Sequence, residues 1–313
     1  MITLYKKQSG YLLLFIILIT SLQLISFVAK AQTVDLFKMQ DEQDKKDKKE
    51  KTDITTSIFK TTRLVNGQTI ENTGSGILDV KISHRFGTVN TEPYNFFGLD
   101  QGTMRIGLDY GITNRLEVGI GRSNYNKEFD GFFKYRILRQ STGKVEMPIS
   151  ISFAPTAIWR SLKDQPETYP IHTSDHFYFS NQLLLARKFN DYISLQLVPT
   201  MVHYNITPTT AIHNDFYSMG LGLRERLSKR LNFTAEYYYQ LNKYPGYNNS
   251  LSLGLDIETG GHVFQLFFTN STGINESSFI TQTEGQWDKG YIRFGFNISR
   301  VFTLVKHNQN TTW

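Results

Sequence analysis

From residue 77 to residue 302 apolar residues recur at every second position, and this period of two constrains the chain more than any other feature. Successive side chains of a β-strand point to opposite faces, so such a period gathers the apolar residues of a segment on one side of a sheet. In the first segment Leu78, Val80, Ile82 and Phe86 share one face, and Asp79, Lys81, Ser83 and Arg85 share the other. Met104, Ile106, Leu108, Tyr110 and Ile112 repeat the pattern against Thr103, Arg105, Gly107, Asp109 and Gly111. Ten further segments follow, with apolar faces that begin at Leu116, Phe133, Met147, Phe177, Ile193, Tyr217, Leu231, Leu251, Phe264 and Ile292. The expectation is an all-β chain of about twelve strands.

The connections alternate in length. Short turns fall near 113–115, 140–144, 190–192, 227–230 and 258–261, and longer loops at 87–102, 123–129, 161–175, 205–215, 242–248 and 271–289. Tight turns therefore gather at one end of the sheet and long loops at the other. Bacterial outer-membrane barrels have this asymmetry, with an even strand number, short periplasmic turns and long extracellular loops. An even count also leaves both ends of the barrel on the short-turn side.

A secreted sandwich would alternate as well, so the second face has to decide. It is mainly small and polar: Gly119 and Gly121, Ser150 and Ser152, Gln182, Gln196, Gly220 and Gly222, Ser250 and Ser252, Asn297. Such residues suit the inside of a curved, closed sheet, and closure would pair every backbone group, as lipid requires. Tyr110 and Tyr192 fall at the turn end, and Trp159, Tyr204, Tyr217 and Tyr244 near the loop end, where two interfacial girdles are expected. The fold predicted is a single antiparallel up-and-down transmembrane β-barrel over residues 77–302.

The N-terminus reads as an export signal. Lys6 and Lys7 precede a mostly apolar stretch at 11–28, and Ala29-Lys30-Ala31 provides a small-x-small cleavage site before Gln32. Without residues 1–31 the chain holds 31 basic against 28 acidic residues, too balanced for the concentrated basic face of a nucleic-acid binder. There is no cysteine, which excludes disulfides, thiolate metal sites and a lipid-modified N-terminal Cys. Residues 32–56 include a run of mixed charge without an apolar stripe and are expected to form a flexible periplasmic tether. Residues 57–76 hold the turn signal Asn66-Gly67; a thirteenth strand would break the even count, which leaves a plug inserted in the lumen or a periplasmic segment.

The stretches TTRLVNGQTIENTG (61–74), ISHRFG (82–87), GLDYGITNRLEVGIGRS (107–123) and GLDIETGGHVFQLFFTNS (254–271) resemble a family of membrane-bound β-barrel domains with no assigned activity. The resemblance spans roughly residues 57–302. It implies an outer-membrane barrel and brings no catalytic residues. Outer-membrane barrels usually end on an aromatic residue; Phe302 stands there, yet residues 303–313 follow as a periplasmic tail that ends in Trp313, and either could be read by the barrel assembly machinery.

Lys81, Arg105, Asp109, Glu117, Lys134 and Arg136 have inward parity on the first four strands, as do Glu236, Asp256, Glu258 and Arg293 on later ones. Rings of fixed charge can select solutes, and opposite charges inside a narrow barrel can also pair and fill it. About twelve strands permit either outcome; mostly structural pairing with a narrow pore is expected. His172, Asp175, His176 and His213 could approach one another at the loop rim and bind Zn²⁺ or Cu²⁺, with His203 and Asp215 nearby, but their spacing matches no metal signature. His203 and His84 have lipid-side parity, and no nucleophile elbow accompanies them. The sequence therefore predicts a non-enzymatic outer-membrane barrel of a Gram-negative-type bacterium without a cofactor, embedded in lipid, and serving as a small pore or transporter for polar solutes. The alternative is a non-conducting scaffold that presents loops such as 87–102 and 271–289 for binding or envelope assembly.

Overall fold

The computed structural model describes residues 51–91, 93–163, 172–260 and 262–305. The expected leader at 1–31, the tether up to residue 50 and the tail beyond residue 305 lie outside the described residues. In chain order the strands are β1 (Thr52–Ile54), β2 (Ile77–Thr88), β3 (Gly102–Gly111), β4 (Leu116–Ser123), β5 (Glu128–Leu138), β6 (Ser141–Gly143) and β7 (Ser150–Arg160). There follow β8 (Phe177–Lys188), β9 (Ile193–Tyr204), β10 (Asp215–Arg226), β11 (Leu231–Gln240), β12 (Ser250–Thr259), β13 (His262–Thr269) and β14 (Arg293–Thr303). One α-helix, α1 (Glu276–Thr281), sits in the connection between β13 and β14.

Twelve of these strands form one closed antiparallel barrel in which each pairs with its neighbour along the chain. The ring closes where β14 pairs with β2, with Ile298 opposite Ile82 and Thr303 opposite Ile77. That ladder leaves no free edge, so every strand has partners on both sides. The period of two becomes a division between outside and inside: Asp109 and Glu117 are fully buried in the lumen while Ile120 is 64% exposed on the outer wall. The strand number matches the sequence reading, and most of the short connections lie at the end where β2 begins and β14 ends.

Four expectations need correction. The tether does not extend to residue 56 as a free segment, because β1 pairs antiparallel with β6, Thr52 opposite Gly143 and Ile54 opposite Ser141. Polar residues join a ladder when another strand offers backbone groups, and periodicity does not register so short a pairing. Second, the inner face is not uniformly small and polar. Ile158, Leu184, Val198, Val202 and Phe216 all point inward from β7 to β10 and are buried. Those strands are apolar on both faces at these points, since their inner face packs against protein rather than water.

Third, Tyr204 and Tyr244 are not interfacial. Both lie in the buried interior cluster, with ring centroids 5.7 Å apart, whereas Trp159 and Tyr217 are exposed on the outer wall. Tyr204 follows His203 by one residue and so has the opposite parity. Fourth, the connection at 271–289 is not simply presented outside: all six residues of α1 are buried.

The division of faces predicts a depth-dependent penalty on the wall. Leu108 faces outward from β3, opposite Ile120 of β4. L108R should destabilise the barrel in phospholipid vesicles by about 2–4 kcal/mol, read from urea unfolding. T209R, in the exposed loop before β10, should change stability by less than about 0.5 kcal/mol.

Candidate functional site

The lumen holds residues 57–74, which fold back on themselves as a small hairpin. Leu64 N–H donates to the Gly67 carbonyl at 2.9 Å, Thr69 N–H donates to the Thr62 carbonyl at 2.9 Å, and Arg63 pairs with Gln68. Asn66 and Gly67 mark the turn. A Cβ on Gly67 would stand 2.1 Å from the Tyr238 hydroxyl oxygen, so only glycine permits this close an approach to β11.

The tip is held by one carboxylate. Glu236 projects inward from β11 and accepts from the backbone N–H groups of Val65 (3.3 Å), Asn66 (2.9 Å) and Gly67 (3.1 Å). Three successive amides converging on one anion form a nest, in which the backbone dipoles supply the positive field. The Asn66 side chain then spans two opposite charges. Its Nδ2 donates to Glu236 at 2.7 Å and to Ser252 Oγ at 3.0 Å, and its Oδ1 accepts from Arg85 at 2.8 Å. An amide carries a donor and an acceptor on one planar group, and Asn66 uses both ends in a site with no solvent exposure.

Side chains of the wall stand in for a neighbouring strand along the rest of the hairpin. Gln196 of β9 donates to the Gln68 carbonyl and accepts from Ile70 N–H, each at 2.8 Å. Gln265 of β13 donates to the Leu64 carbonyl at 2.5 Å, and Asn297 of β14 donates to the Val65 carbonyl at 2.9 Å. Arg85 of β2 also lies over the Phe267 ring, 4.1 Å from its centroid. Opposite these polar grips, Ile58, Phe59, Leu64 and Ile70 pack in the apolar cluster with Val198, Val202 and Phe216.

Of the residues expected as a lumen cluster, Lys81, Arg105, Asp109, Glu117, Lys134, Arg136, Glu236 and Asp256 are buried, and several of them serve this hairpin. Lys81 pairs with Asp109 and Asp79 and donates to Thr62 Oγ1. Lys134 stands 3.5 Å from Glu117 and donates to Gln68 Oε1 at 3.3 Å, while Glu117 accepts from Thr73 N–H at 2.7 Å. Arg136 donates to the Ile70 carbonyl at 3.3 Å and lies 3.6 Å from Glu71. Arg105 forms a two-pronged pair with Asp130 at 2.8 and 2.5 Å, the arrangement that matches a guanidinium to a carboxylate best.

The later members behave differently. Asp256 accepts from Gln265 at 2.9 Å, Glu258 meets Lys60 at 2.8 Å at the turn end, and Arg293 is half-buried at the loop end. The sequence reading omitted Arg85, Asp130 and Arg224, although parity places all three inside. The partners of Arg85 and Arg224, Asn66 and the Ser57 and Ile58 carbonyls, were not apparent because the hairpin has no periodic signal, whereas Asp130 pairs with Arg105, which parity had already placed inside.

A second insert reaches the first from the loop end. Glu276 of α1 pairs with Arg63 of the hairpin at 3.0 Å, with both side chains buried. Phe279 lies edge-on to Tyr238, centroids 5.0 Å apart, and Thr281 Oγ1 is 2.5 Å from the Tyr204 hydroxyl. Glu128 accepts from Asn275 Nδ2 at 2.5 Å and Ser278 Oγ at 3.2 Å. Hairpin and helix thus meet inside the barrel across an ion pair.

The histidine group is not brought together. No cluster of three His, Cys, Asp or Glu side chains suited to a metal occurs among the described residues. Asp175 instead accepts from the backbone N–H of His172 at 2.8 Å, which caps a short turn, and His203 hydrogen-bonds Asp215 at 2.6 Å on the outer wall. Sequence proximity in these loops reflects local capping, which uses up the carboxylate that a metal would need.

A family model described as a membrane bound beta barrel domain matches residues 59–302. No curated protein matches the chain. Among solved structures, the NanC porin shares 9% identity over 72% of this chain and 98% of its own, with a TM-score of 0.45. The KdgM porin shares 10% identity over 72% and 99%, also with a TM-score of 0.45. An outer membrane channel from Pseudomonas putida F1 shares 12% identity over 74% and 98%, with a TM-score of 0.44.

The convergence on Glu236 has a direct test. E236A leaves three buried N–H groups without an acceptor, and each such donor costs about 1–3 kcal/mol. Hydrogen exchange at the amides of Val65, Asn66 and Gly67 should accelerate at least about tenfold, while the amides of the β2–β14 ladder keep their protection.

Proposed function

Because this chain belongs to the membrane bound beta barrel domain family, we propose that it is an outer-membrane channel for small polar solutes, closed by its own N-terminal hairpin. The observation that carries this reading is the bridge through Asn66, whose side chain links Glu236 on one wall to Arg85 on another. The plug is gripped by hydrogen bonds from wall side chains, and the chain just before it, β1, is held to β6 by a three-residue ladder. Withdrawal of residues 57–74 would expose Lys81, Arg85, Lys134, Arg136, Glu117 and Glu236 to water. An interior meant only to be filled would be built more cheaply from apolar residues, since a buried ion pair is seldom worth more than a well-packed hydrophobic one. Mixed charge around a space of this kind favours passage of small polar or zwitterionic molecules over ions of one sign.

The outer-membrane location is supported by the gathering of most short connections at one end and most long ones at the other, with the short 124–127 and the β6-bearing 139–149 as exceptions, and by both ends of the barrel lying at the short-turn side. A second reading, a non-conducting barrel, is favoured by one observation: both inserts also bury apolar side chains, Ile58, Phe59, Leu64 and Ile70 from one and Phe279 and Ile280 from the other.

Planar-bilayer recordings separate the two. The wild-type protein should be closed for most of the record, and removal of residues 32–76 should give steady channel events. N66D tests the same idea without touching the wall, because a carboxylate would replace the amide that now lies 2.7 Å from Glu236. Like charges at that spacing repel strongly in a low-dielectric interior, so N66D should raise the open fraction at least about tenfold. Silence of both variants, with the barrel folded, would overturn the channel and leave the non-conducting barrel.

A further inference from the structure

The outer wall of the first strands is not smooth. Leu108, Ile120 and Phe133 surround Gly131 and Ala157, whose small side chains leave a hollow of about 770 Å³ on the face turned to lipid. It continues toward the loop end into a second hollow of about 560 Å³, bounded by Phe129, Trp159, Phe177 and Arg122. Phe129, Trp159 and Phe177 stack in sequence there, with centroids 5.6 and 6.4 Å apart. Such a row of rings marks the level of the membrane interface. The hollow therefore starts at the headgroup level and runs down the wall into the hydrocarbon.

Arg122 stands at its upper end. The residue is exposed on the lipid side, with its guanidinium 5.2 Å from the centre of the Phe129 ring, and it makes no ion pair among the described residues. The carboxylates nearest along the paired strand, Glu128 and Asp130, are buried inside the barrel, and Asp130 is taken by Arg105. The two adjoining connections meet there, where Ser161 N–H donates to the Lys127 carbonyl at 3.4 Å. The site thus combines an apolar trough with a cation, and the one carboxylate residue among those that line it, Asp130, is buried on the inner side.

We propose that this wall binds a lipid with a phosphate-bearing headgroup, one acyl chain lying in the hollow over Gly131 and Ala157 and the phosphate resting on Arg122. Charge complementarity selects this occupant. A guanidinium matches phosphate oxygens through two parallel N–H donors, and cations near a membrane surface favour anionic lipid by about a factor of five each. A second copy of the chain fits less well: a two-fold contact is self-complementary, and it would bring Arg122 against a wall without an anion.

Trp159 reports on the site. In the full chain with W287F and W313F it is the only tryptophan, and brominated acyl chains quench indole fluorescence on contact. The protein is placed in phosphatidylcholine vesicles that contain equal mole fractions of either brominated phosphatidic acid or brominated phosphatidylcholine. The anionic lipid should associate about fivefold more strongly than the neutral one, and R122Q should bring the ratio to about one. G131L adds a side chain where the nearest atom to a new Cβ is 3.9 Å away, so it folds and fills the trough; quenching by the anionic lipid should fall. Equal quenching by both lipids in the parent, an unchanged ratio in R122Q, unchanged quenching in G131L, or a dimer that shields Trp159 from both lipids would each overturn the proposal.

Discussion

In hydrocarbon no water is available to a free N–H or C=O, so a sheet survives there only when its last strand finds its first. The pairing of β14 with β2 meets that condition here, and much else follows from it. Closure divides every strand into an outer face for lipid and an inner face of limited volume. A ring of twelve strands lies between the roughly eight whose side chains fill the interior and the roughly 16–18 that leave a wide aqueous channel. The interior must therefore hold either water or additional chain.

This barrel holds additional chain from both ends. The hairpin at 57–74 and the helix α1 meet at the Arg63–Glu276 pair, and the two sides of the interior treat them differently. Strands β7 to β10 offer Leu184, Val198, Val202 and Phe216, which pack with Ile58, Leu64 and Phe279. Strands β2 to β5 offer charge, most of it satisfied by neighbouring charge or by the hairpin backbone. The insert is thus amphipathic across its width, with its apolar edge on one wall and its polar edge on the other. Glu236 of β11 and Arg85 of β2 grip the tip from either side of β12–β14, and Asn66 is the residue that satisfies both. Hydrogen bonds of this kind are strong while dry and exchangeable once water enters, which is the property a removable plug requires.

The outer wall obeys the same closure rule with a different solvent. Bulky side chains alternate outward around most of the ring, and the smallness of Gly131 and Ala157 opens a trough where Arg122 meets the aromatic row. The same strands that carry the paired charges inside thus present outside a cation without an ion pair among the described residues, and the sheet between them keeps the two apart.

Much of the architecture was legible in the residues alone. Parity along β2, β3 and β4 assigned Lys81, Arg105, Asp109 and Glu117 to the lumen, because a strand allows a side chain only two directions. The alternating connection lengths gave a closed ring of even strand number. What those charges do was not legible. Arg63, Asn66 and Glu276 lie in segments with no period, and Glu276 and Arg63 are 213 positions apart. Their contacts arise only once the ring has formed and the chain on either side of it has turned inward. Nearness to the loop end misplaced Tyr204 and Tyr244 in the interfacial girdle, and the apolar inner face of β7 to β10 was missed, since a residue's solvent depends on what fills the space it faces. The sequence by itself determined which side of the wall each strand residue occupies, as a local property of the backbone. Whether the inside is water or protein was decided only by tertiary structure, because it depends on distant segments competing for one enclosed volume.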